Sequence, residues 1–244
     1  MNDNFRVLDS ARVLESAQVL GNARVFDNSR VGGHARVDSN ARVFGNARVD
    51  HHTWVLGNAE VSGNAHVLGN AVVTGYARVF DSVEVVQNAM ISGNAHVLGN
   101  ARVTGHARVV DNAEVAGNAW IGEYSRVFGY ARVTGDARVF DNARVGGHAR
   151  VGGNGWVGGN AEVRGDGLIH GPRDIAWIDN VPRYKSITLH RTLDGWQVNL
   201  RKFASTIEYI GATVDRVCAD VASHNDTKQV VTALAYLAAV INPD

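Results

Sequence analysis

The sequence predicts an all-β solenoid, a stack of about nine triangular coils of short parallel strands followed by a small C-terminal α+β cap. Three observations predict it. From Phe5 to Pro172 the chain divides into 28 consecutive six-residue units of the form Ala-Arg-Val-Phe-Gly-Asn, with no residue inserted or deleted. The third position is Val in 25 units and Ile in the other three (Ile91, Ile121, Ile169), while the first is Ala in 21. The fifth and sixth positions are Gly-Asn, Asp-Asn, Gly-His or a close variant, types that adopt positive φ or bond their own backbone.

Each unit follows from these positions. Small or β-branched residues two apart point to one side of a strand, so Ala and Val face inward while Arg and the variable fourth residue face out. The corner pair then turns the chain every six residues. Strands this short bury nothing alone. Three units closing an 18-residue coil stack each strand on the one 18 positions later, ~4.8 Å away, and the core becomes columns of Val and Ala.

A solenoid has open ends that pair with other chains unless blocked. Phe5, at a position that is elsewhere small, is expected to plug the first coil. The repeat stops at Gly171 and Pro172, and all three Pro and all three Lys lie from residue 172 onward. Residues 1–172 therefore form the repeat domain and 173–244 a second module. In that module Trp177 to Val181, Lys185 to Arg191 and Gln197 to Lys202 read as strands, with Leu193, Asp194 and Gly195 turning the last two into a hairpin. Capping-box patterns at Ser205 to Glu208 and Asp226 to Gln229 open two expected helices that pack on the hairpin.

Composition narrows the function classes. Of 24 basic and 24 acidic residues, 16 of each fall in residues 1–170 and 8 of each after, so neither part carries the net positive charge of a nucleic-acid or anionic-membrane surface. A single Cys218 excludes an internal disulfide framework and a multi-Cys metal site, and fits the cytoplasm. The start lacks the order of a secretory signal, and the longest apolar stretch, Val230 to Ile241, is too short to span a membrane.

The Ala-x-Val-x-Gly-Asn pattern resembles the hexapeptide repeat of left-handed parallel β-helix proteins, over residues 5 to 172. The resemblance implies the left hand of the coil. Its members include trimeric acyltransferases, carbonic-anhydrase-like zinc proteins and non-catalytic proteins, so it leaves activity open. The tail resembles, in layout, tails on some phage-encoded hexapeptide-repeat proteins, which implies a phage protein acting on a host component.

With an 18-residue register the outward side chains form columns. Arg42, Glu60, Arg78, His96, Glu114 and Arg132 make one, and Arg48, His66, Glu84, Arg102, Trp120, Arg138 and Trp156 the next. Acids one coil from Arg relieve like-charge repulsion, and that structural role accounts for most of this surface. His66 over Glu84 and His96 over Glu114 are candidate catalytic pairs, because a carboxylate one rung away orients an imidazole as a base. Both belong to a 30-residue duplication, and 30 is not a multiple of 18, so the pairs fall on different faces.

Further candidate sites lie elsewhere. His34 and His52 stack at one corner with His51 beside them and His106 further down, a possible ligand-binding cluster. The alternative is that His replaces Asn at a corner favouring positive φ, as His148 does alone. No acidic partner is readable, so no metal site is assigned. Trp120, Arg138 and Trp156 stack on successive rungs beside Gly122 and Gly158 as a cation-π ladder for a planar or sugar-like ligand. A support role for the cap competes, since Gly146, Gly152 and Gly158 form a collar leaving the tail room to fold back. Trp54, Leu56, Val72 and Met90 make an apolar patch on the third face, with Phe44 and Phe80 in a stripe on the first, which together predict a homotrimer.

Two functions follow. One is a non-catalytic trimeric scaffold binding a partner protein or small ligand, with no cofactor. The other, implied by the resemblance, is an acyl-CoA-dependent O- or N-acyltransferase for a sugar-like acceptor. Such transferases interrupt the coil with a loop that walls off the thioester, and 28 unbroken units contain none. No phosphate-binding loop, dinucleotide fingerprint or Ser-nucleophile elbow occurs.

Overall fold

The computed structural model describes residues 4–180, 186–200 and 203–207, together with Thr232 and Tyr236. All 28 units form a two-residue strand at their second and third positions, from β1 (Arg6–Val7) to β28 (Leu168–Ile169), without an outward loop. Every third strand pairs in parallel, giving three sheets of ten, nine and nine strands. The first sheet starts with β1, the second with β2 (Arg12–Val13) and the third with β3 (Gln18–Val19). Val25 stands on Val43 and Val43 on Val61, 18 residues apart each time. The chain is thus a parallel β-solenoid of about nine turns, as the repeat arithmetic requires.

Backbone bonds join the coils at every unit. The amides of Arg24, Phe26 and Asn28 donate to the carbonyls of Ala41, Val43 and Gly45 at 2.9, 3.0 and 2.9 Å. Inside, the Val and Ala columns are fully buried from Ala23 to Val163. Ala fits because a triangular coil leaves little room at its corners, and the hydroxyl exceptions are bonded: Ser29 Oγ donates to Phe26 O at 2.7 Å, and Ser125 Oγ to Gly122 O at 2.6 Å.

The corner is a four-residue turn whose second residue, the fifth of the unit, has positive φ in all units from Asp9 to Gly165. Where that residue is not glycine, its side chain often bonds the coil above. Asp81 Oδ2 accepts from Gly99 N at 2.9 Å, and Asp111 Oδ2 from Gly129 N at 3.1 Å. The sixth residue does a different job. Asn22 donates to Asn40 and Asn40 to Asn58, at 3.2 and 3.1 Å, as a side-chain ladder up the corner. This corrects the reading of the corner histidines: only His51 (φ 65°) takes the left-handed conformation, whereas His34, His52, His106 and His148 replace ladder asparagines.

The ends differ from expectation in part. Phe5 is 47% exposed and Val7 40%, so Phe5 lies open beside the first coil instead of plugging it. The tail begins with a four-stranded antiparallel sheet of β29 (Ile175–Asp179), β30 (Ser186–Thr192), β31 (Gly195–Leu200) and β32 (Phe203–Ile207). Ser205 to Ile207, expected to open a helix, therefore end a strand; pairing of Trp196 with Ile207 across β31 takes up the backbone groups a helix would use. Most of the expected helices lies outside the described residues, although Thr232 and Tyr236 are helical. Among the described residues no helix is long and apolar enough to cross a membrane.

The cap covers the open edge of β27 (Glu162–Val163) with side chains in place of a strand. Asn160 N donates to Asp179 and Glu162 N to Thr188 Oγ1, at 3.0 and 2.9 Å. In return Ser186 Oγ donates to Asn160 O and Asn199 Nδ2 to Glu162 O, at 2.6 and 2.8 Å. Asn160 N, Glu162 N and Glu162 O are groups the next coil would have paired, so the cap bonds this edge in its place.

His190 is sealed behind this junction at 0% exposure. Asn199 Nδ2 donates to its Nε2 at 2.9 Å, and Nδ1 faces Arg191 O at 3.2 Å, which assigns the neutral tautomer with its proton on Nδ1. A second proton would set two donors against each other. Burial, outweighing the bond to Arg191, lowers its pKa from 6.5 to about 4.

Two outcomes are expected. Gly93→Ala should lower stability by roughly 1–3 kcal/mol in thermal unfolding, because φ is 72° and the new Cβ would meet Asp111 O at 2.7 Å. Gly93→Asp should lose less, since its carboxylate can accept the Asp111 amide as neighbouring corners do. Between pH 6.5 and about 4 the unfolded chain binds the His190 proton and the folded cap does not, so stability falls as pH falls through that window. The full loss is on the order of 3 kcal/mol. Urea unfolding at pH 7.5 and 5 should show a pH-dependent loss that is smaller in His190→Gln.

Candidate functional site

The outward columns stand as the register requires. Glu60 is ion-paired to Arg42 at 2.9 Å on one side and lies 3.6 Å from Arg78 on the other. Acids also pair along the strand: Arg48 reaches Asp50 at 2.8 Å, and Arg36 reaches Asp38. Those guanidinium groups hold both carboxyls below the usual aspartate range. The pairs are solvent-exposed and contribute little each.

His66 pairs in register with Glu84 and His96 with Glu114, on the second and first sheets respectively. The carboxylates, however, turn to the coil above. Glu84 lies 3.2 Å from Arg102 and Glu114 3.6 Å from Arg132, and among the described residues neither is bonded to its histidine. The register brings each pair together; the side chains do not form an oriented base.

His34 and His52 stack with ring centroids 4.9 Å apart and planes 11° from parallel. Parallel stacked imidazoles point their nitrogens sideways instead of toward one ion. His51 donates its backbone amide to Asp50 at 2.7 Å. Among the described residues no group of three or more His, Cys, Asp or Glu side chains is placed to hold a metal ion. His106 continues the column, stacked on Tyr124 at 4.8 Å.

The aromatic ladder is only partly formed. Arg138 lies over Trp120, 6.0 Å from the ring centroid, while Trp156 tilts onto Phe140 at 5.1 Å. Trp120 Nε1 donates to Thr104 Oγ1 at 3.1 Å. The glycines serve these rings: a Cβ on Gly122 would lie 3.2 Å from Trp120 Nε1, and one on Gly158 3.0 Å from Trp156 Nε1 and from Phe140. Gly146 likewise lies under Phe128. Gly146 and Gly158 of the collar are therefore covered by rings of the coils themselves, and the tail reaches past them to Gly159 through Trp177 and Asp179.

Trp54, Val72 and Met90 stack in register on the third sheet. Trp54 is 51% exposed, with Leu56, Val72 and Met90 half-buried beside it. On the first sheet Phe44 stacks on Phe26 at 4.9 Å under Arg42, and Phe80 is half-buried further along.

One feature escapes sequence reasoning. A concavity of about 280 Å³ opens where the last coils meet the cap. The coils supply Tyr124, Arg126, Asn142, Arg144, Asn160 and Glu162, and the cap adds Ser186 and Asn199. The register places the first six on adjacent rungs, but nothing in the repeat announces that the tail walls them in.

Residues 17–33 match the YdcK Beta solenoid repeat. The chain is a parallel β-helix built of six-residue units. No curated protein matches it. Among solved structures, the UDP-N-acetylglucosamine O-acyltransferase of Moraxella catarrhalis is similar at 12% identity and TM-score 0.42, covering 94% of this chain and 96% of its own. The UDP-N-acetylglucosamine acyltransferase of Campylobacter jejuni matches at 10% identity and TM-score 0.36, over 94% and 93%. The acetyltransferase domain of PglB from Neisseria gonorrhoeae, solved with acetyl coenzyme A, matches at 17% and 0.32, over 57% and 55%.

Proposed function

We propose that the protein is a non-catalytic homotrimeric scaffold whose rigid prism presents a surface to a partner protein or a small ligand, working in the cytoplasm. One observation carries this reading: 28 strands follow one another without an outward loop. Acyl transfer from a thioester needs water excluded around the donor, and uninterrupted coil supplies no wall for it. The two histidine-carboxylate rungs lie on different sheets, and their acids face arginines.

The trimer rests on the apolar columns. The third sheet (Trp54, Leu56, Val72, Met90) and the first (Phe44, Phe80) share one corner of the prism. Three copies can bring these faces together around an axis at that corner, burying surface that is exposed on one chain.

In sedimentation, Met90→Arg combined with Val72→Glu should shift the protein from trimer to monomer, because the two new charges, although one coil apart and able to pair with each other, lose their hydration on a buried apolar face. A wild-type sedimentation coefficient would refute the interface. His66→Ala and His96→Ala should leave assembly and biological activity unchanged, and no form of the protein should release thiol from acyl-CoA. A general base is worth about 10²- to 10⁴-fold in rate, so thiol release lost in one variant with the trimer intact would establish the acyltransferase instead.

A further inference from the structure

We infer that the concavity between the last coils and the cap binds the phosphate monoester of a small polyhydroxylated compound, with Arg126 and Arg144 holding the phosphate. This deepens the ligand-binding role proposed above and rests on it.

Arg126 and Arg144 pair in register on the third sheet, so their exposed side chains leave the backbone ~4.8 Å apart. Many arginines at such positions meet acids, either one coil away as at Glu60, Glu84 and Glu114, or two residues on as at Asp38 and Asp50, whereas the stacked Arg12 and Arg30 meet none and face open solvent. Two residues beyond Arg126 and Arg144 stand Phe128 and Gly146 instead. Glu162, one coil above Arg144, is engaged by Arg164. Among the described residues neither guanidinium has an ion-pair partner. Two free guanidinium forks side by side are the donor set that phosphate oxygens match.

The flanks favour the same ligand. Phe128 lies across Gly146, two residues on from the arginines, and borders the pair on one side with an apolar ring. On the other side Asn142 and Asn160 stack in the corner column without the amide bond that joins Asn70 to Asn88 at 2.9 Å lower down. Their side chains are free to bond hydroxyl groups. Tyr124, fixed by its stack on His106, offers a phenol at the same level. A volume of about 280 Å³ is at the small end of ligand pockets, suited to one sugar ring with its phosphate and too small for a coenzyme. The concavity opens at the corner joining the second and third sheets, away from the corner assigned to the trimer axis, and stays accessible in that assembly.

Calorimetry with glucose 1-phosphate, inorganic phosphate and glucose tests the site. Saturable binding of glucose 1-phosphate is expected, tighter than either fragment, weakened about tenfold or more by Arg126→Gln or Arg144→Gln. Arg30→Gln, on the second sheet, should change nothing, and Asn142→Ala should weaken the ester but not inorganic phosphate. Absence of saturable heat at millimolar ester overturns the site, as does equal weakening by Arg30→Gln. Inorganic phosphate binding as tightly as the ester overturns the ester assignment. Sedimentation and thiol-release assays on the same preparations report separately on the scaffold reading, so its failure is not confused with that of the site.

Discussion

Everything in this protein depends on one register. Each strand has only two residues, and its backbone bonds go to the coil 18 positions away. A single inserted residue would rotate every later side chain to the wrong face and leave a rung of amides unpaired. The constraint acts at the corner, where a left-handed residue recurs every sixth position from Asp9 to Gly165. Glycine meets it without strain. Aspartate and glutamine meet it by returning a hydrogen bond to the coil above, as Gln87 does to Gly105 N at 2.6 Å.

Stacking in register also forces like on like. Val on Val is favourable, because identical branched chains fill a column without voids. Asn on Asn is favourable too, since each amide donates to the next. Arg on Arg is not, and the surface manages it with acids between rungs, acids along the strand, or a ring beneath, as where Arg42 lies over Phe26 and Phe44. Arg126 and Arg144 use none of these, nor do Arg12 and Arg30 or Arg108, but among the arginines only Arg126 and Arg144 line the cap concavity. An unrelieved pair of cations beside a wall is a site able to take its counter-charge from a ligand.

The two ends solve the edge problem differently. Around Val7 the first coil stays exposed among the described residues. At the other end Asp179, Ser186, Thr188 and Asn199 replace the missing coil by bonding its backbone positions one at a time. Because Asn199 is shared between Glu162 O and the imidazole of His190, the seal on the edge is tied to a buried group that must stay neutral.

The sequence by itself determined the coil: inward Val and Ala, 18-residue columns, the Trp54, Val72 and Met90 patch, and the His66–Glu84 rung are all arithmetic on a period of six. It determined them because a solenoid makes spatial neighbours a fixed function of sequence distance. Which partner each side chain chooses was decided only in three dimensions. Glu84 had a histidine on one side and an arginine on the other, and took the arginine; Trp156 had Arg138 in register and leaned on Phe140. Ser205 to Ile207 carried a helix-capping pattern, yet an antiparallel neighbour in β31 drew them into a strand, since tertiary pairing outweighs local propensity. The concavity was hidden for the same reason. Its floor lies on the periodic coil, but its wall comes from Ser186 and Asn199, beyond the repeat, where no period links position to place.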